Sequence, residues 1–201
     1  MRSIGFISIL LYTFVIGCSP DRLSSEELTA FVADESNGLS KSVTAANNTV
    51  VRVTYRPTDL WVYQELGKGK HTPEQIDKAR KKYSQNLYFI LSLSANDKEA
   101  LHQSTGDQYS DLVQTLSFRM NNYVTLTTSA NDTIPVGDFM LNRTYGMSSS
   151  TDLLFVFNKE KAKDKEWIQF NLNEFGLGIG NQRFRFETDD LEDIPEVTFE
   201  N

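Results

Sequence analysis

Cysteine occurs once in this 201-residue chain, histidine twice and proline five times. The lone Cys18 excludes an intrachain disulfide and any metal site assembled from several cysteines. The two histidines, His71 and His102, are too few for a histidine-rich zinc or iron centre. A Ser-His-Asp triad would have to recruit one of them, and no G-x-S-x-G elbow is present to display a nucleophile. Basic side chains are also short, 20 against 27 acidic, which argues against a broad nucleic-acid face because phosphate neutralisation needs an excess of Lys and Arg. The apolar run Ile4–Ile16 covers 13 residues, where a helix needs about 20 to cross a bilayer. Internal repeats and low-complexity tracts are missing as well.

What remains is sufficient for a core. Hydrophobic residues make up 39% of the chain and aromatic residues 11%, and the length fits one domain. Arg2 followed by an uncharged apolar run is the layout of a signal peptide. The run ends in Val15-Ile16-Gly17-Cys18, which resembles the lipobox of bacterial lipoproteins, with Val15 standing where leucine is more usual. The resemblance implies cleavage between Gly17 and Cys18, diacylation of the Cys18 thiol and acylation of the new amino terminus. Several acyl chains would make the membrane attachment stable, since one chain alone binds marginally. Ser19 after the cysteine, in place of the aspartate linked to inner-membrane retention, implies the outer membrane. On this reading residues 1–17 are a signal peptide, residues 18–48 a lipid-anchored tether carrying a short helix, and residues 49–201 a single domain.

Within the tether, Ser24 and Glu27 have the spacing of a capping box, and Leu23 with Leu28 can form a hydrophobic staple. Leu28, Phe31 and Val32 then share one face, which predicts a helix docked on the domain and stopped at Asn37-Gly38. The stretches DESNGLSKS, Asp34–Ser42, and VTYRPTDL, Val53–Leu60, resemble segments of uncharacterised Bacteroidota lipoproteins. No functional residue follows from that resemblance, because the group has no agreed activity.

In the body, Thr49–Tyr55 alternates as a half-buried strand, and Leu60–Leu66 reads as a second. Thr72, Pro73 and Gln75 open a helix that runs to about Asn86. Leu87–Leu93 is apolar on both faces, as a central strand would be. Tyr109, Leu112, Val113, Leu116 and Met120 mark another helix over residues 107–120. Strands are then expected at Tyr123–Thr128, Ile134–Asn142, Leu153–Phe157, Trp167–Leu172 and Gln182–Glu187. The predicted fold is α+β: one domain, a mostly antiparallel sheet, and two or three helices covering it. A two-sheet β-sandwich in the second half is the alternative.

Motifs of the kind that carry chemistry are few. Gly176, Gly178 and Gly180 have the spacing of a phosphate loop, but a strand pattern follows where a helix N-terminus is required, so a flexible hairpin loop is the better reading. Residues 188–193 gather four carboxylates without the spacing or turn glycine of a calcium loop, and read as a solvated helical turn capped by Thr188. Lys78, Arg80 and Lys82 form a candidate anion patch for lipid head groups or acidic glycans, with a plain solvated helix face as the alternative. Asp132-Thr133-Ile134 resembles the O-glycosylation signal of Bacteroidota envelope proteins, making Thr133 a candidate acceptor. No catalytic residue, metal ligand or cofactor is assigned. The expected function is that of a membrane-anchored envelope lipoprotein acting as a non-enzymatic binding or assembly module for a protein or glycan. A lipid-anchored hydrolase using a carboxylate pair, or a lipid or ligand carrier, are the alternatives.

Overall fold

A computed structural model describes residues 22–199, so Gly17, Cys18 and the proposed signal peptide lie outside the described residues. The chain folds as one α+β domain in which two antiparallel sheets face each other. It opens with β1, Arg22–Leu23, and α1, Ser25–Ala33. The predicted capping box of α1 is formed, with Ser24 Oγ accepting from the Glu27 amide at 3.1 Å and Glu27 accepting from the Ser24 amide at 2.8 Å. Strand β2, Ser40–Thr44, pairs antiparallel with β3, Val50–Tyr55. From Arg22 onward, then, the stretch expected as a tether belongs to the domain. Leu28 and Leu39 are fully buried, and Ser40 Oγ donates to the Val32 carbonyl at 2.7 Å.

Two helices follow, α2, Thr58–Leu66, and α3, Pro73–Tyr83. The first corrects the strand expected at Leu60–Leu66: apolar residues at 60, 62, 63 and 66 fit both periods over so short a run. The helix wins because it stacks Trp61 on Tyr83 and sets it at a tilt against Tyr88, with centroids 6.1 and 5.1 Å apart. The central strand β4, Asn86–Ala95, pairs with β3 on one side, and a short β5, Lys98–Glu99, folds back on its end. Helix α4, Gly106–Phe118, buries Leu112 and Leu116.

The second half supplies β6, Val124–Thr128, β7, Thr133–Pro135, β8, Asp138–Asn142, and β9, Thr151–Asn158. The single strand expected over Ile134–Asn142 is two strands, because the chain changes sheet at Val136-Gly137. There the Gly137 amide donates to the Val156 carbonyl, and a Cβ at Gly137 would stand 3.3 Å from that oxygen. Strand β7 therefore pairs with β6 while β8 pairs with β9. The chain ends with β10, Trp167–Leu172, β11, Gln182–Glu187, α5, Thr188–Glu192, and β12, Glu196–Val197, which pairs in parallel with β1.

The larger sheet has the order β2-β3-β4-β9-β8 and the smaller β11-β10-β6-β7. Two layers of sheet were expected only as the alternative and only in the second half; the larger layer draws β2 to β5 from the first. Inward residues meet between the layers. Phe89 of β4 lies 5.8 Å from Phe170 of β10 and 5.2 Å from Phe186 of β11, and Phe155 and Phe157 close on Phe170 from β9. Each of these fully buried rings contributes on the order of 2 kcal/mol. Tyr88 points the opposite way, since successive strand residues alternate faces, and meets α2 and α3 on the outer face. No helix among the described residues is long and apolar enough to cross a membrane.

Candidate functional site

The antiparallel order brings five strand ends to one end of the sandwich: the finish of β3, β9 and β11 and the start of β4 and β10. A cavity of about 560 Å³ opens between them. Its floor is apolar, made by Leu87, Ala162, Ile168, Leu191 and the ring of Tyr55. One wall is the 3₁₀ turn Lys159–Ala162, fixed by the Asn158 side chain accepting the Glu160 amide at 2.9 Å and by the Lys159 amide donating to the Gln85 carbonyl. The opposite wall is α5, which brings Thr188 and Glu192 to the cavity. The α3–β4 link adds Ser84 and Gln85.

Two hydroxyls in this cavity have no partner among the described residues. Of the two oxygens only Thr188 Oγ1 is fully buried; Tyr55 is 5% exposed as a residue. Burial, with smaller contributions from the Glu192 carboxylate and Tyr88, pushes its pKa up to about 12, so at neutral pH it is a neutral O–H donor. Thr188 Oγ1 is buried and unpaired although its backbone amide is satisfied by the Glu166 carbonyl. An unmade hydrogen bond at such a site costs about 1–3 kcal/mol, which a ligand could recover. At the mouth, Lys159, Lys163, Glu160 and Glu192 are exposed and form no ion pair among the described residues.

Sequence reasoning named Thr188 only as a helix cap; the cap position is held by Glu187, and Thr188 is the first residue of α5. Nothing in the local sequence marks Tyr55 or Gln85, because the cavity joins segments more than 130 positions apart. The four carboxylates of residues 189–193 do not gather round one point, and no three metal-ligating side chains converge among the described residues.

The glycine-rich loop between β10 and β11 is a hairpin connection, as expected, yet it is tied down. Glu174 accepts the amides of Gly176 at 2.7 Å, Gly178 at 2.8 Å, and Gly180 and Phe175 as well. Burial alone would raise this carboxyl, but the loop amides outweigh it and hold it below the usual glutamate range. The anion cradle is thus filled by the chain's own side chain.

The candidate anion patch is dispersed by α2. Arg80 grips Asp59 through two hydrogen bonds of 2.8 and 2.7 Å, and Lys82 reaches Glu65 at 2.6 Å, leaving Lys78 as the one of the three with no ion pair among the described residues. Thr133 is exposed at the start of β7, beside Asp132, which pairs with Lys165 at 3.1 Å. His71 bonds the Gly67 carbonyl at 3.0 Å. His102 stands 3.4 Å from Glu99, a carboxylate 3% exposed that sequence reasoning passed over. Glu99 accepts the Thr144 hydroxyl and the amides of Gly146 and Ser148, so it clasps the loop between β8 and β9.

Compared with known proteins, the chain matches no family model, and no curated protein matches it. Among solved structures, it is similar to a protein of unknown function from Burkholderia pseudomallei K96243. The two are 12% identical with a TM-score of 0.41, over 87% of this chain and 94% of that one.

Proposed function

We propose that the protein is an envelope lipoprotein, held at the outer membrane by lipid on Cys18, whose domain is a non-enzymatic binding module. The observation that carries the binding reading is the cavity at the sandwich end, where the Thr188 hydroxyl is buried without a partner among the described residues and Tyr55 is 5% exposed. Its volume falls within the roughly 300–1,000 Å³ of small-molecule sites. The anchor reading rests on the sequence from Arg2 to Cys18.

The hydrolase alternative draws on Glu160 and Glu192, which border the same cavity. Both are exposed, whereas a carboxylic acid that donates a proton near neutral pH needs a dry setting, so binding without chemistry is preferred.

The anchor is tested by expressing the full chain and its Cys18→Ala form with labelled fatty acid. Label on the first and none on the second, with the second shed from membranes, is expected; a Cys18→Ala protein that stays membrane-bound would refute the anchor. For the module, native mass spectrometry of protein extracted gently from its own membranes should show a bound small molecule that Leu191→Trp, which fills the cavity, displaces.

A further inference from the structure

The geometry points to an uncharged saccharide, a mono- or disaccharide unit of a glycan, as the ligand of the sandwich-end cavity; this rests on the binding reading above. Three features select that class. First, the charges at the mouth balance: Lys159 and Lys163 against Glu160 and Glu192. A mouth of one sign would concentrate an ion of the other sign, and a balanced one favours no net charge.

Second, the free polar groups include donors and acceptors together. Tyr55 offers a hydroxyl that stays protonated, Thr188 a hydroxyl, Gln85 an amide with both functions, the lysines donors and the glutamates acceptors. None of these side-chain groups is hydrogen-bonded to another described residue. A sugar hydroxyl gives and takes one hydrogen bond at once, so a ring of hydroxyls matches a mixed set in a way that an acyl chain does not.

Third, the apolar floor is nearly closed. Leu87, Ile168 and Leu191 are 4%, 1% and 8% exposed, so they offer only a small apolar surface, matched to the C–H face of a sugar ring. A fatty chain would need a deeper apolar channel to bury its length.

The test is isothermal titration of the full chain in detergent with maltose, cellobiose and diacetylchitobiose, beside sodium decanoate and dialanine. At least one disaccharide should bind saturably. Tyr55→Phe and Thr188→Val, each keeping the shape and losing a hydroxyl, should weaken it about tenfold. Gln85→Ala, at an exposed position that does not threaten folding, should weaken it severalfold. Near-ultraviolet circular dichroism confirms that each variant is folded. If decanoate or dialanine binds and no disaccharide does, the saccharide assignment is overturned while the cavity remains a binding site. If a disaccharide binds but is indifferent to all three substitutions, it sits elsewhere and the proposal is equally overturned. Binding of nothing in the panel, with native protein from membranes also empty, overturns both the assignment and the binding reading.

Discussion

Glu99 shows how much one side chain can hold. Burial would raise its pKa, but the Thr144 hydroxyl, the amides of Ser148 and Gly146 and the nearby His102 together bring it below the usual glutamate range. A carboxyl with a depressed folded pKa lends stability above its unfolded pKa of about 4.3, and that stability fades as the pH falls through the lowered folded value. Glu99→Gln should therefore cost about 1–3 kcal/mol at pH 7, with the gap to the parent protein narrowing as the pH is lowered from 5 to 3. Urea denaturation across that range measures it, and a gap constant with pH would show that the charge is not what holds the loop. The sequence conceals this residue: Asn96-Asp97-Lys98-Glu99 reads as a polar turn, and the groups it binds lie 45 to 49 positions later. Local caps are different, since Ser24 with Glu27 and Thr72 with Gln75 bond within four residues and both boxes form as read.

Helix α2 decides how the elements around it are wired. Because it lies beside α3, Asp59 and Glu65 neutralise Arg80 and Lys82, and Asp59 Oδ2 also accepts the Val197 amide at 3.0 Å. Asp59 thus ties α2, α3 and β12 together, while Arg80 lies 31% exposed over the ring of Phe199. Asp59→Ala should cost about 2–3 kcal/mol, since it removes both hydrogen bonds of Arg80, which keeps Glu196 at 3.8 Å, and orphans the Val197 amide. Arg80→Ala should cost less, about 1–2 kcal/mol, because the carboxylate left behind keeps Val197. Chemical denaturation of both variants checks the order; an equal or reversed ranking would remove Asp59 as the pin. Helix α4 was legible because many residues vote for one period, and β4 because its run is apolar on both faces. Helix α2 was not, because seven residues shared apolar positions between two periods and only the Trp61 contact with β4 resolves them. The sheet change at Gly137 was hidden for the same reason, as strand residues on either side of it look alike in sequence.

At the scale of the whole molecule, the sequence carries the fold class and, on the proposal above, the address, while the arrangement of strand ends carries the proposed site. The order of strands in two layers gathers Tyr55, Gln85, Lys159 and Thr188 at one end, and no local pattern encodes that order. The lone cysteine, reserved on this account for lipid, leaves the domain to work through hydroxyl, amide and carboxylate groups. A lipid at Cys18 and a cavity in the domain also make a joint expectation: the Cys18→Ala protein should bind its ligand as tightly as the anchored form, measured by titration, because the described residues that line the cavity run from Tyr55 to Glu192 and Cys18 is not one of them. The central claim, that the ligand enters the end of the sandwich, is tested most directly by amide chemical-shift mapping of the full chain titrated with the disaccharide that binds. Shifts confined to residues 84–87, 158–163 and 188–192 are predicted. Shifts centred instead on the β8 edge around Met140 and Tyr145, or spread without saturation, would contradict it.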